Sequence, residues 1–150
     1  MSFANFYNGR RGRFFVYAPL IIWIAIILIL GSGPGASAQT SRFIRPLIEF
    51  FFPSASPDTF LLIHAFIRKA AHFIEYAVLA FLAARVFVIG QKHWILLSFA
   101  VVAVVAATDE INQSFYSSRS GSGWDVLLDA AGGAVALLCI AVFRRRKRRS

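Results

Sequence analysis

The chain has 150 residues, of which 58% are hydrophobic and only 15% charged, with a formal net charge of +9. A single domain of that length and oiliness is not an ordinary soluble one, and its apolar residues fall in long runs. The basic residues sit between those runs and at the chain ends, which is a pattern of membrane topology rather than of phosphate recognition, so no nucleic-acid partner is expected.

Residues 1–13 form a basic N-terminus carrying Arg10, Arg11 and Arg13. An almost uninterrupted apolar run follows over residues 14–30, close to the length that spans a hydrocarbon core of about 30 Å. It reads as a first transmembrane helix. The small, flexible stretch 31–38 ends in Ala36-Ser37-Ala38 before Gln39, the small-x-small form of a signal-peptide cleavage site, so removal of the first span is the competing reading.

Residues 42–52 divide helically, with Arg42, Arg45 and Glu49 on one side and Phe43, Ile44, Leu47, Phe50 and Phe51 on the other. This reads as a short amphipathic segment in the interface, with Pro46 near its start, or else as a packed loop. Ser56-Pro57-Asp58 then signals a helix start, through a capping hydroxyl, a proline at the first helical position and an acid at the positive end of the dipole.

From Pro57 the helical apolar pattern runs to Ile89, about 50 Å and too long for one simple span. The sequence division falls at Arg68-Lys69. It leaves an interfacial or re-entrant piece before it and a second span, residues 70–89, after it. If residues 68–76 are helical, Arg68, Lys69, His72, Glu75 and Tyr76 share an arc of roughly 120°. Ionisable groups in such a position face a protein interior, a wet cavity or each other, and they raise a functional-site hypothesis.

Trp94 is placed as an interfacial anchor for a third span, residues 94–111, which runs into Asp109 and Glu110. Ala100, Ala103 and Ala107 share a face close to Glu110, and small residues favour close helix packing. Residues 112–124 are polar and rich in Ser and Gly and read as a loop. Asp125 is a candidate cap for the last span, residues 126–143, whose Ala131-Gly132-Gly133-Ala134 core suits close approach. Cys139, the lone cysteine, excludes an intramolecular disulfide and a thiolate zinc cluster and reads as a small buried hydrophobe.

The fold class expected is therefore all-α: an integral membrane bundle of four transmembrane helices, with an interfacial or re-entrant helical segment between the first and second. Four spans put Arg10, Arg11, Arg13, Arg85, Lys92 and the basic tail 144–150 on one side with no acidic residue among them. The positive-inside rule makes that side the cytoplasm, with both termini there. Anionic lipids are expected partners of the tail. The starts of the second and fourth spans and the end of the third then share the outer leaflet, where Arg68, Lys69, His72, Glu75, Tyr76, Asp109, Glu110, Gln113, Arg119, Asp125 and Asp129 are able to converge.

Those residues form three ordered blocks: Arg68-Lys69-x-x-His72-Phe73-x-Glu75-Tyr76, then Asp109-Glu110-x-x-Gln113-x-Phe115 followed by Arg119, then Asp125-x-x-x-Asp129 with Gly132-Gly133. In this the chain resembles the VanZ-like family of small bacterial membrane proteins, whose named member is associated with low-level resistance to teicoplanin. Two positions depart from the family pattern. Ser117-Ser118 stands where Pro-Gly is common, and Asp129 stands where Asn is frequent, which adds a charge. The resemblance implies a role in the cell envelope of the cytoplasmic membrane, with an envelope lipid or cell-wall precursor as ligand.

Three chemistries remain open for the cluster. It is a structural lock of paired charges, a binding site in which Arg68, Lys69 and Arg119 hold a ligand's anionic group beside Phe73, Tyr76 and Phe115, or a metal or acid/base site using His72 and Glu75 with Asp109 or Glu110. His64 and His93 lie elsewhere, no phosphate-cradling glycine loop or nucleophile elbow is present, and no cofactor is expected.

Overall fold

A computed structural model of the chain describes residues 10–31, 36–88, 91–115 and 123–147. Those residues are all helical or in short connections: α1 (Arg10–Gly31), α2 (Ala36–Phe51), α3 (Pro57–Phe87), α4 (Trp94–Ser114) and α5 (Gly123–Lys147). Three of them, α3, α4 and α5, are long and apolar enough to cross a membrane, and Phe14–Ile29 within α1 forms a shorter apolar stretch.

The N-terminus of α3 is built as its residues dictate. Ser56 is extended, its hydroxyl accepts from the Thr59 N–H at 3.2 Å, Pro57 opens the helix and Asp58 sits in the first turn. Beyond that point the helix differs from the expected division. It runs unbroken through Arg68 and Lys69 for 31 residues, so the second span and the piece before it are one element. The physical reason is that nothing between Asp58 and Phe87 interrupts a helix: the stretch has neither proline nor glycine, and two charged side chains change its solvation without costing backbone hydrogen bonds. At 1.5 Å per residue it is about 46 Å long, so a good third of it extends past a hydrocarbon layer of about 30 Å.

Helix α2 also starts earlier than the amphipathic pattern implied. It takes in residues 36–41, of which 36–38 belong to the small-residue stretch that reads as a linker, and leaves Pro46 in its interior, where the Arg42 carbonyl loses its helical donor. Arg42, Arg45 and Glu49 are exposed, and so are Leu47, Phe50 and Phe51, while Ile48 is buried. Arg45 binds Glu49 at 2.8 Å and lies over the Phe60 ring of α3.

The core is made by one face of each long helix: Leu20 and Ile27 from α1, Leu79, Ala80 and Ala83 from α3, Val102 and Ala106 from α4, and Leu137 from α5. Large apolar side chains such as Ile21, Phe81, Val104 and Leu138 cover the outside, as in a bundle whose solvent is lipid. Cys139 is among the exposed residues of α5, not in the core. The alanine face expected to pack α4 is only partly packed, with Ala103 and Ala107 half-buried, while Glu110 does turn into the bundle as expected. Ala100 is exposed, and the buried stripe is Ser98, Val102, Val105, Ala106, Asp109, Glu110 and Gln113. Lipid tolerates alanine but not three polar side chains, so Asp109, Glu110 and Gln113 set the rotation of the helix.

Gly132 and Gly133 do bring helices together. A Cβ at Gly132 would collide with the Phe73 backbone of α3, and one at Gly133 would meet a Val102 methyl of α4 at 2.7 Å. Helix α5 is wedged between the two through this pair. Contacts rise together along α3 and α5 (Lys69 with Asp125, His72 with Asp129, Phe73 with Gly132), so those helices run in parallel. Trp23 meets Glu75 and Gly31 meets Asp109, which sets α1 alongside α4 and antiparallel to α3.

Candidate functional site

Starting two turns along from Phe60, α3 presents Lys69, His72 and Tyr76 on one stripe, spaced by three and four residues. Facing it, the first turns of α5 present Asp125 and Asp129, spaced by four. The two stripes meet as rungs. Lys69 Nζ donates to Asp125 Oδ1 at 2.8 Å near the surface, and one turn deeper His72 Nδ1 lies 3.7 Å from Asp129 Oδ1.

The polarity of the rungs changes with depth. The outer pair is solvent-accessible on both sides, an ordinary exposed ion pair of small energetic weight. In the inner one the Asp129 side chain is 0% exposed and His72 24%. Below it Tyr76 is also 0% exposed, within electrostatic reach of Asp109, Asp129, Glu75 and Glu110. Both Asp129 carboxylate oxygens and the Tyr76 hydroxyl are buried without a hydrogen-bond partner among the described residues. A separation of 3.7 Å is too long for His72 to satisfy Asp129 by a direct hydrogen bond.

Helix α4 closes the third side with its last turn and a half. Asp109, 1% exposed, accepts from Gln113 Nε2 at 2.8 Å, and Glu110 is buried beside it. The i,i+4 spacing makes Gln113 a fixed donor for Asp109 and sets the carboxylate's direction.

The first helix completes the wall. The Trp23 indole N–H donates to the Glu75 backbone carbonyl at 3.1 Å, and Gly31 lies against the Asp109 carboxylate so closely that a side chain there would overlap it. Sequence reasoning missed both contacts. A tryptophan in mid-span carries a hint, since a buried indole N–H requires an acceptor, but nothing in residue type says that the acceptor is a backbone carbonyl on another helix.

Of the residues proposed from sequence, the structure brings Lys69, His72, Glu75, Tyr76, Asp109, Glu110, Gln113, Asp125 and Asp129 to one end of the bundle. Arg68 is on the same turn of α3, partly buried, and makes no ion pair among the described residues. Arg119 lies outside the described residues. Phe115 is exposed at the end of α4 and Phe73 is partly buried against Gly132. Among the described residues, no group of three or more His, Cys, Asp or Glu side chains is arranged to hold a metal ion.

Among the described residues, four carboxyls of the inner site, Glu75, Asp109, Glu110 and Asp129, face one histidine. Such a site accepts hydrogen bonds. Its described side chains suit hydroxyl, amine or amide donors, and of the three cations expected to hold an anionic group Lys69 is engaged by Asp125 while Arg119 lies outside the described residues.

Long apolar helices packed around a cluster of carboxyls at one end define a multi-pass helical membrane protein. The VanZ/LLP1 family model matches residues 14–144, nearly the whole chain, and the chain belongs to that family. No curated protein and no solved structure gives a match.

Proposed function

We propose that this VanZ-like protein resides in the bacterial cytoplasmic membrane with four spans, α1 included, and both termini in the cytoplasm. Its carboxyl-rich end faces outward and binds the hydroxyl- or amine-bearing headgroup of an envelope lipid or cell-wall precursor. The antiparallel course of α1 against α3 and the uniformly basic opposite end support this topology.

One observation carries the binding reading. The Asp129 carboxylate is fully buried and takes no hydrogen bond from any described residue, although it lies one turn below the solvent-accessible Lys69–Asp125 rung and beside the partly exposed His72. A lock evolved for packing alone satisfies its carboxylates internally, because an unmatched buried acceptor costs more than an apolar residue would. A ligand donor at Asp129 and the Tyr76 hydroxyl meets that need.

The test is genetic. A strain lacking the gene is profiled against cell-wall agents, glycopeptides among them, and complemented with wild type, Asp129→Asn and Glu75→Gln at matched protein levels. The binding reading expects the wild type alone to restore the parental profile. Equal restoration by both variants would remove it.

The 3.7 Å approach of His72 to Asp129 favours a second reading, in which this contact tightens to a hydrogen bond when the headgroup binds and His72 acts on it as a general base. It expects purified protein to turn over a lipid-linked cell-wall precursor in a manner abolished by His72→Ala, and no turnover by the wild type rules it out.

A further inference from the structure

At the basic end, away from the carboxyl-rich site, the bundle holds a separate small cavity of about 180 Å³. Trp94 and Ile95 line it from the first turn of α4, and Ala141, Arg144 and Arg145 from the last turns of α5. The Arg144 guanidinium stands 5.9 Å from the centre of the Trp94 ring, a cation–π contact that holds it at the cavity.

What distinguishes this cavity is charge without a counter-charge. The seven acidic residues of the chain are Glu49, Asp58, Glu75, Asp109, Glu110, Asp125 and Asp129, and all of them belong to the other end. Neither Arg144 nor Arg145 forms an ion pair among the described residues. Two guanidiniums, whose forked donors match phosphate oxygens, therefore sit beside an indole at the end of a spanning helix. The space is large enough for a phosphodiester and its neighbouring atoms.

We propose that this cavity binds the phosphate of an anionic membrane lipid. Arg144 and Arg145 ligate the phosphate oxygens, Trp94 packs against the glycerol region, and the acyl chains descend along the apolar surface of α4 and α5 at Ile95 and Val142. The site is specific in that it uses these two arginines rather than the summed charge of the tail.

The experiment uses the full chain, purified in a neutral detergent, and measures retained phosphatidylglycerol and phosphatidylcholine by native mass spectrometry. Arg144→Gln/Arg145→Gln is compared with Arg148→Gln/Arg149→Gln, which removes the same charge further along the tail, and folding of each is verified by gel filtration. Losing the charge-assisted hydrogen bonds of two guanidiniums to phosphate, the first variant should lose phosphatidylglycerol retention by about tenfold or more while the second stays within about threefold of wild type. Equal loss in both variants, or equal retention of the two lipids by the wild type, would overturn the site. Displacement of the lipid by millimolar inorganic phosphate would overturn the lipid assignment and leave the phosphate group alone as the ligand.

Discussion

Asp129 of α5 faces His72 of α3 across 3.7 Å with its carboxylate wholly buried and no hydrogen-bond donor in contact among the described residues. Replacing it by its neutral isostere tests what the charge is for. Asp129→Asn keeps the shape, removes a buried negative charge and turns one unmatched oxygen into an amide donor, so the thermal midpoint in detergent should hold or rise, by an amount equivalent to about 1 kcal/mol. A drop of several degrees would instead assign Asp129 to the packing framework.

Gly132 is where α5 comes within touching distance of the α3 backbone. Gly132→Ala puts a methyl group into the Phe73 carbonyl, which neither helix relieves by turning a side chain. It should cost about 1–3 kcal/mol and lower folded yield, as read by fluorescence-detected gel filtration. Gly133→Ala first meets the Val102 side chain, both methyls and Cβ, rather than backbone, so its loss should be the smaller of the two.

Trp23 ties α1 to α3 by donating to the Glu75 carbonyl, and Leu20 and Ile27 belong to the common core. Trp23→Phe keeps most of the packing and removes the donor, for an expected loss of about 1 kcal/mol in unfolding experiments. Cleavage after Ala38 would strip this wall from the site. Intact-mass measurement of protein recovered from membranes should therefore show α1 still attached.

The Lys69–Asp125 rung is half open to solvent, and its contribution is correspondingly small. Lys69→Ala should change stability by less than about 1 kcal/mol. A change well above that in a thermal melt would mean that Lys69 supports something deeper than Asp125.

The sequence pattern carried much of this arrangement because hydrophobic run length and the depth of charged residues both obey the bilayer. The VanZ-like resemblance read from the three blocks is matched by the family result over residues 14–144. Residue type was less informative where two arrangements cost the backbone the same. Nothing at Arg68-Lys69 distinguishes a helix that stops at an interface from one that continues through it, and α3 continues. The alanines of α4 offered a plausible packing face, but polar residues one position away set the helix rotation. The contacts of α1 with Glu75 and Asp109 involve a backbone carbonyl and a glycine, neither of which advertises a partner in sequence.

The central claim is that the site around Asp129 holds an envelope ligand. Its most direct test is mass spectrometry of the full chain extracted from its native membranes, comparing amphiphiles retained by wild type and by folded Asp129→Asn. Loss of one charge-assisted hydrogen bond predicts that a hydroxyl- or amine-bearing lipid species is retained by the wild type and reduced at least about tenfold in the variant. The same lipid complement on both proteins would contradict the account.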